Sequence, residues 1–284
     1  MKLDLMPLVS ILMAAYRVED TVRAAVASVL DQNHEHWELI IASDCGTDYL
    51  AVCRAGGLRD GRIRMVATPF LASGPSAARN AALEAAKGEF ITILDGDDTW
   101  RPERLAALLP LAKVSGLACD NTRAMTPDGR EIATAHPVGA AAREIDALAM
   151  MTSGMPHFPL LRRELASPGY RPELRFAEDV VFNMELIARA GAMTLLPQPL
   201  THYIQWPNSA TNAQDAWRRA ETAYGQINAM LLRGEVTIPT DQRAAIVEAF
   251  AEKRRLNLAY GAAVQAGKAT TFQAFMAARN LDGD

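Results

Sequence analysis

The sequence predicts an α/β fold: a mostly parallel central sheet flanked by helices, followed by a helical C-terminal stretch. Three observations carry this. The continuous apolar run "LVSILMAAY" suits a strand buried on both faces, and "WELIIAS" reads as a second strand. The segments between such runs switch to helical spacing. The order strand, helix, strand, strand, helix, strand, helix over residues 8–113 is the rhythm of a sheet with helices on its faces.

Each element has its own local reason. Residues 8–16 form an apolar run bounded by polar residues, the first strand. In "EDTVRAAVASVLDQ", Val22, Val26, Val29 and Leu30 recur on one helical face, and Glu19, Asp20 and Thr21 suit a helix start. Residues 37–43 form the second strand, and "DCGTD" after it carries turn and cap chemistry. Residues 62–68 are a weaker third strand. "SGPSAARNAALEAAKG" is an Ala-rich helix, starting near Pro75 and closed by Gly88. "EFITILD" is the fourth strand, and "RPERLAALLPLAK" is a helix with Pro102 in its first turn. "TPDGR" reads as a hairpin turn between two short strands. The stretch 212–280 reads as three helices.

The 284 residues are 50% hydrophobic, enough for a sizeable core, and the net charge of −4 from 29 basic and 33 acidic residues argues against a nucleic-acid partner. Cys45, Cys53 and Cys119 lack zinc-type spacing and read as reduced thiols of a cytoplasmic protein. The first apolar run ends at Arg17, too short to span a bilayer, so it reads as a strand rather than a signal peptide.

Ligands of such sheets bind beyond the carboxyl ends of the strands. Tyr16 and Arg17, Ser43 and Asp44, and Asp95, Asp97 and Asp98 all follow strands there. Crowded carboxylates need a neutraliser, and oxygen-only ligands at a loop suit Mg²⁺ or Mn²⁺ sharing substrate phosphates. Capping of the helix near Pro102 is the other use of these acids. No GxxxxGK[ST] and no GxGxxG after the first strand is present.

"VSILMAAY", "SVLDQNHEHWELIIASDCGTD", "GPSAARNAALEAAKGEFITILDGDDTWRPERL" and "FAEDVVFNMELIARAG" occur in this order. The set resembles a family 2 glycosyltransferase of the GT-A fold, densely over residues 8–108 and again over 169–211. The resemblance implies an inverting transfer of a sugar from a nucleotide diphosphate to an acceptor hydroxyl. It implies that Asp95-Gly96-Asp97 is the DxD element, with Asp97 on the metal and Asp95 against the ribose or the metal shell. Asp98 is the following acid, a helix cap or a ligand contact. Arg79, in "ARN" with Asn80, would reach the nucleotide or its phosphates. Glu178-Asp179 matches the family's ED pair: Asp179 would be the general base and Glu178 would orient its neighbours. The acidic start of a helix is the plainer role for that pair. "LTHYIQWPNSAT" resembles the segment that closes over the diphosphate, with His202 a metal or phosphate candidate and Tyr203 and Gln205 softer ones.

Two departures stand out. Ala14-Ala15-Tyr16-Arg17 replaces the family's Pro-Ala-Tyr-Asn, and Ser43-Asp44 replaces Asp-Asp at the end of the second strand. Base recognition therefore falls to Asp44 or to Ser43, with Ala15 and Tyr16 beside them and a UDP-sugar as the default donor. The division expected is a catalytic part, 1–211, with a nucleotide half of about 1–116 and an acceptor half of about 117–211, and a helical extension, 212–284. Met155, Pro156, His157 and Phe158 are read as an acceptor-site lining or as a packed loop. The acceptor is a saccharide, a lipid-linked molecule or another hydroxyl. The C-terminal helices are read as packing on the catalytic part or on a second copy, in preference to a membrane surface. The competing functions are a nucleotide-sugar-binding protein without catalysis and a metal-dependent phosphohydrolase. The cytoplasm, including the inner face of the membrane, is the expected location.

Overall fold

In this computed structural model the residues described are 6–207, 209, 215–269, 272, 275 and 276. Strand β1 (Val9–Ala15) lies between β2 (Trp37–Ser43) and β4 (Phe90–Ile93), parallel to both, and β2 continues in parallel to β3 (Ile63–Ala67). All residues of β2 and β4 are buried, which explains their largely apolar sequences, with Glu38, Ser43 and Thr92 the buried polar residues among them. The two faces are covered by different helices. Val9, Ile11 and Met13 meet Val22, Ala25, Val26 and Val29 of α1 (Val22–Leu30) in one apolar cluster. Leu12, Ile40 and Ala42 join Ala78 and Ala82 of α3 (Pro75–Ala85) in the other.

A helix that the sequence reading passed over, α2 (Tyr49–Ala55), follows β2. It is seven residues long, too short for an apolar period, but it has a cap: the Asp48 carboxylate accepts from the Ala51 amide at 2.9 Å. Helix α3 opens with Gly74 and Pro75 as expected but ends at Ala85, before Gly88. Gly88 instead lets two backbones meet. A Cβ there would sit 2.6 Å from the Leu8 carbonyl oxygen, and its amide donates to Ser10 Oγ at 2.8 Å. The short β5 (Thr99–Trp100) and helix α4 (Arg104–Ser115) follow, the helix starting two residues beyond Pro102.

The second half completes one sheet of ten strands. β6 (Leu117–Met125) turns through the expected "TPDGR" hairpin into antiparallel β7 (Glu131–Thr134). Next come β8 (Arg143–Ile145), α5 (Ala147–Thr152), β9 (Leu160–Arg162), α6 (Glu178–Ala190) and β10 (Met193–Ile204). The order is β3-β2-β1-β4-β9-β6-β10-β5, with β7 on β6 and β8 on β10. Parallel pairing is concentrated in β1 to β4 and in β6 with β10, and β9 runs antiparallel to both β4 and β6.

Helices α7 (Ala216–Arg233) and α8 (Arg243–Gln265) pack on each other. Part of their apolar surface packs on their own chain, while Leu232 and Leu258 stay exposed. Ile227, Leu231, Ile246 and Phe250 belong to the same cluster as Leu12, Phe182 and Leu186. The last helix read from the sequence falls on residues 270–280, most of which lie outside those described, as do 208 and 210–212 beyond β10. Among the described residues no helix is long and apolar enough to cross a membrane.

Candidate active site

The turn after β4 carries Asp95, Gly96, Asp97 and Asp98. It closes with the Asp98 amide donating to the Asp95 carbonyl at 3.1 Å. It is tied to the chain beyond β1, because Thr21 Oγ1 donates to the Gly96 carbonyl at 2.9 Å. Only glycine permits that approach: a Cβ on Gly96 would stand 2.9 Å from Val18 Cγ2. Asp98 corrects the capping expectation. Its buried carboxylate accepts from the Ile204 amide of β10 at 2.9 Å, not from helix α4, and its second oxygen has no partner. Burial, with Asp97 and Asp95 nearby, raises its pKa well above the usual range. Asp97 is pushed up to about 6, by burial first and then by Asp95.

Arg79 is the hub. It is 5% exposed, and its guanidinium donates to Asp95 Oδ1 at 2.8 Å and to Glu178 Oε1 at 2.6 Å. It lies over the Tyr170 ring, 5.3 Å from the centroid, and that ring stacks on Phe182 at 3.9 Å. The guanidinium that the sequence assigned to phosphates is thus committed to the protein, joining the DxD turn to the ED pair. Burial penalises its charge, but Asp95 and Glu178 outweigh that and raise its pKa further.

Glu178 and Asp179 open helix α6, where carboxylates are favoured by the helix dipole. The residue before them, Ala177, holds a left-handed backbone at φ 56°, strain that aims the first turn. Burial raises the pKa of Asp179; Arg79 and Lys253 pull it back. The same opposition of burial and Arg79 leaves Glu178 raised. All three left-handed non-glycine residues among those described flank this region: Arg17 after β1, Ala72 before α3, and Ala177.

The end of β2 does not offer what the sequence suggested. The Asp44 carboxylate is 3% exposed and accepts from Thr68 Oγ1, the Ser73 amide and the Gly74 amide, each at 2.8 Å. Its oxygens shape the loop leading into α3, leaving little capacity to read a base. The Ser43 hydroxyl, also buried, donates to the Thr47 carbonyl at 3.0 Å. Ala15 is buried and accepts the Asp44 amide at 2.9 Å, whereas Tyr16 is 44% exposed, with Arg17 over its ring.

His202 is not brought to the DxD carboxylates. Burial lowers its pKa, Arg123 and Arg101 lower it further, Asp120 and Glu103 oppose them, and its Nε2 has no partner among the described residues. His157 is buried, its Nε2 2.9 Å from His136 Nε2, and burial pushes it down to about 3. The 155–158 stretch is therefore a packed loop at His157 and Phe158, both buried.

Ser76 and Trp206 were missed, and Asn80 was named only as part of the "ARN" match. The Asn80 side chain donates to the Tyr170 carbonyl at 2.7 Å and accepts the Tyr170 amide at 2.8 Å, and Ser76 Oγ donates to the Leu174 carbonyl at 3.0 Å. Both fasten the chain before Glu178 to helix α3; their place beside Arg79 in "SAARN" was the signal. The Trp206 indole donates to the Asp97 carbonyl at 3.3 Å, which lays the segment after β10 against the DxD turn.

The chain is 36% identical over 132 residues to the succinoglycan biosynthesis protein ExoO of Rhizobium meliloti, covering 46% of this chain and 37% of that protein. It is 42% identical over 102 residues to the putative teichuronic acid biosynthesis glycosyltransferase TuaG of Bacillus subtilis, covering 35% and 39%. Each relative is thus matched over less than two fifths of its own length. Its fold is similar to that of S. aureus TarS 1–349 in complex with UDP-GlcNAc, with a TM-score of 0.67 over 87% of this chain and 72% of that one, at 18% identity. The family model for Glycosyl transferase family 2 matches residues 10–167, more than half of the sequence, and the chain belongs to that family.

Proposed function

We propose that this chain is a metal-dependent, inverting glycosyltransferase. It moves a sugar from a nucleotide diphosphate, a UDP-sugar by default, to an acceptor hydroxyl in polysaccharide or glycoconjugate biosynthesis. The observation that supports it most is the Arg79 bridge, which ties the DxD turn to the helix that begins with Glu178-Asp179. The names of ExoO and TuaG support the pathway class, and the UDP-GlcNAc complex of TarS supports the donor class. Residues 1–211 are taken as the catalytic part and 212–284 as a helical extension.

In this reading the acceptor oxygen attacks the anomeric carbon opposite the leaving diphosphate. The new C–O bond forms as the bond to the diphosphate oxygen breaks, and that bond's electrons leave with the nucleoside diphosphate. The acceptor proton passes to Asp179, whose burial makes it a better base than an exposed aspartate. Glu178 and Arg79 position that carboxylate and the DxD turn. Asp97 fits a divalent cation: an oxygen donor, half-buried beside Asp95, with no ion pair to an Arg, Lys or His side chain among the described residues. Among the described residues no three His, Cys, Asp or Glu groups form a ready cage, so phosphate and water oxygens would complete the shell. A bound Mn²⁺ or Mg²⁺ supplies charge stabilisation to the leaving diphosphate. The acceptor is a saccharide or a lipid-linked hydroxyl, and the site of action is the cytoplasm, including the inner face of the membrane.

The test is a screen of nucleotide sugars by thermal shift with Mn²⁺ and with EDTA, followed by product analysis with saccharide and lipid-linked acceptors. Metal-dependent stabilisation by one donor and sugar on an acceptor are expected. Binding with neither transfer nor hydrolysis would point to the non-catalytic alternative. Release of phosphate from the nucleotide itself would point to a phosphohydrolase.

A further inference from the structure

We infer that the C-terminal helices complete the transfer site, with Lys253 of α8 as the counter-charge of Asp179. The inference rests on Asp179 as the base of the proposed reaction, and it reaches beyond the 10–167 stretch that carries the family match.

The placement comes from packing. Phe250 is buried in the main cluster, and Lys253, three residues on, lies on the same side of α8. The Phe250 ring meets the Tyr224 ring of α7 edge-on at 6.3 Å. Tyr224 in turn meets Phe176 at 6.1 Å, three residues before Asp179. Three rings thus connect the turn of α8 below Lys253 to the loop that delivers the ED pair.

The charges agree with the packing. The neighbouring Arg254 and Arg255 pair with Glu221, Glu248 and Glu252. Lys253 makes no ion pair or hydrogen bond of that kind among the described residues, although it is half-buried. A half-buried ammonium without a partner is costly unless a charge faces it. Burial lowers the pKa of Lys253, and among the described residues the charge that opposes this is Asp179; Lys253 acts on Asp179 in return. The other groups facing Asp179 are Glu178 beside it, Arg79 from α3, Asp95 after β4, Tyr170 before α6 and Tyr224 from α7. Arg79 is the cation that acts more strongly on Asp179 but is shared with Asp95 and Glu178, whereas Lys253 is paired with no other group among the described residues. Lys253 is therefore a positioning residue: it acts through Asp179.

The test compares wild type with Lys253→Gln, Lys253→Met, which keeps the aliphatic stem, and Lys253→Arg. Two readouts are taken on the full chain. One is the pH profile of kcat/KM for transfer. The other is the carboxyl ¹³C titration of Asp179, assigned by its loss in Asp179→Asn, which needs no activity. Removing a nearby cation makes a carboxylate harder to ionise. In the Gln and Met variants both midpoints should move to higher pH by about half a unit or more, with donor affinity unchanged, and Lys253→Arg should restore them. Unmoved midpoints in the folded Gln or Met variant overturn the inference. A shifted Asp179 titration in a protein that transfers no sugar upholds the pairing and overturns the transferase reading instead.

Discussion

Arg79 and Glu178 stand 99 positions apart in the chain, yet Nη1 of one lies 2.6 Å from Oε1 of the other, with Asp95 held at 2.8 Å by the same guanidinium. Removing one partner of a buried pair leaves charge uncompensated, at about 3–5 kcal/mol. Arg79→Met should cost that order of stability in urea unfolding and abolish transfer. Arg79→Lys keeps the charge but not the planar fork, so it should hold one carboxylate and lose most activity. A lysine variant with wild-type stability and rate would show that the bridge is dispensable.

Asp97 sets a pH dependence. A protonated carboxyl is a poor metal ligand, and this group titrates at about 6. Mn²⁺-dependent binding of a nucleoside diphosphate should weaken about tenfold per unit as pH falls below 6. Calorimetry at pH 5, 6 and 7.5 checks this, and Asp97→Asn should bind weakly at every pH. Stability runs the other way. The folded-state value is above the unfolded one, so the group's contribution is present at low pH and is lost as pH rises from about 4 to about 6. Metal-free Asp97→Asn should therefore melt higher than wild type at pH 7.

For Asp179, asparagine keeps the shape but accepts no proton. Transfer by Asp179→Asn should fall by about 10²–10⁴, with donor affinity little changed. Near wild-type transfer would move the base elsewhere, and Glu178 would be examined next.

The Asp44 carboxylate holds the loop that leads into α3. Asp44→Ala strips three hydrogen bonds from Thr68, Ser73 and Gly74 and should cost about 2–3 kcal/mol. Hydrogen exchange should show the Ser73 and Gly74 amides losing protection. UDP and GDP should weaken together. A change in their ratio, measured by competition, would restore Asp44 as a reader of the base.

The sequence made the parallel half legible because strands buried on both faces leave long apolar runs and their helices leave a period. It did not reveal α2, whose only mark was the Asp48 cap. The antiparallel additions were equally hard to see, since β5, β8 and β9 are two or three residues long. At the site, motif matching singled out Arg79, Asp95 and Glu178 but not that they pair, because ion pairs across 99 positions leave no local pattern. The carboxylates at strand ends were visible as residues, while the direction each faces was not: Asp44 turns to its own loop and Asp98 to β10.

Strand β9 bears on how the chain is made. Residues 160–162 fill the slot between β4 and β6, which precede it by dozens of positions. A nascent chain that has emerged only through β6 therefore presents two unpaired strand edges side by side with nothing between them. Such edges invite pairing with other chains. Until about residue 162 has left the ribosome, the parallel set β1 to β4 cannot be joined to β6. Ribosome-stalled chains ending near residue 140 should accordingly be more aggregation-prone and protease-sensitive than those ending beyond β10, once both are allowed to clear the exit tunnel.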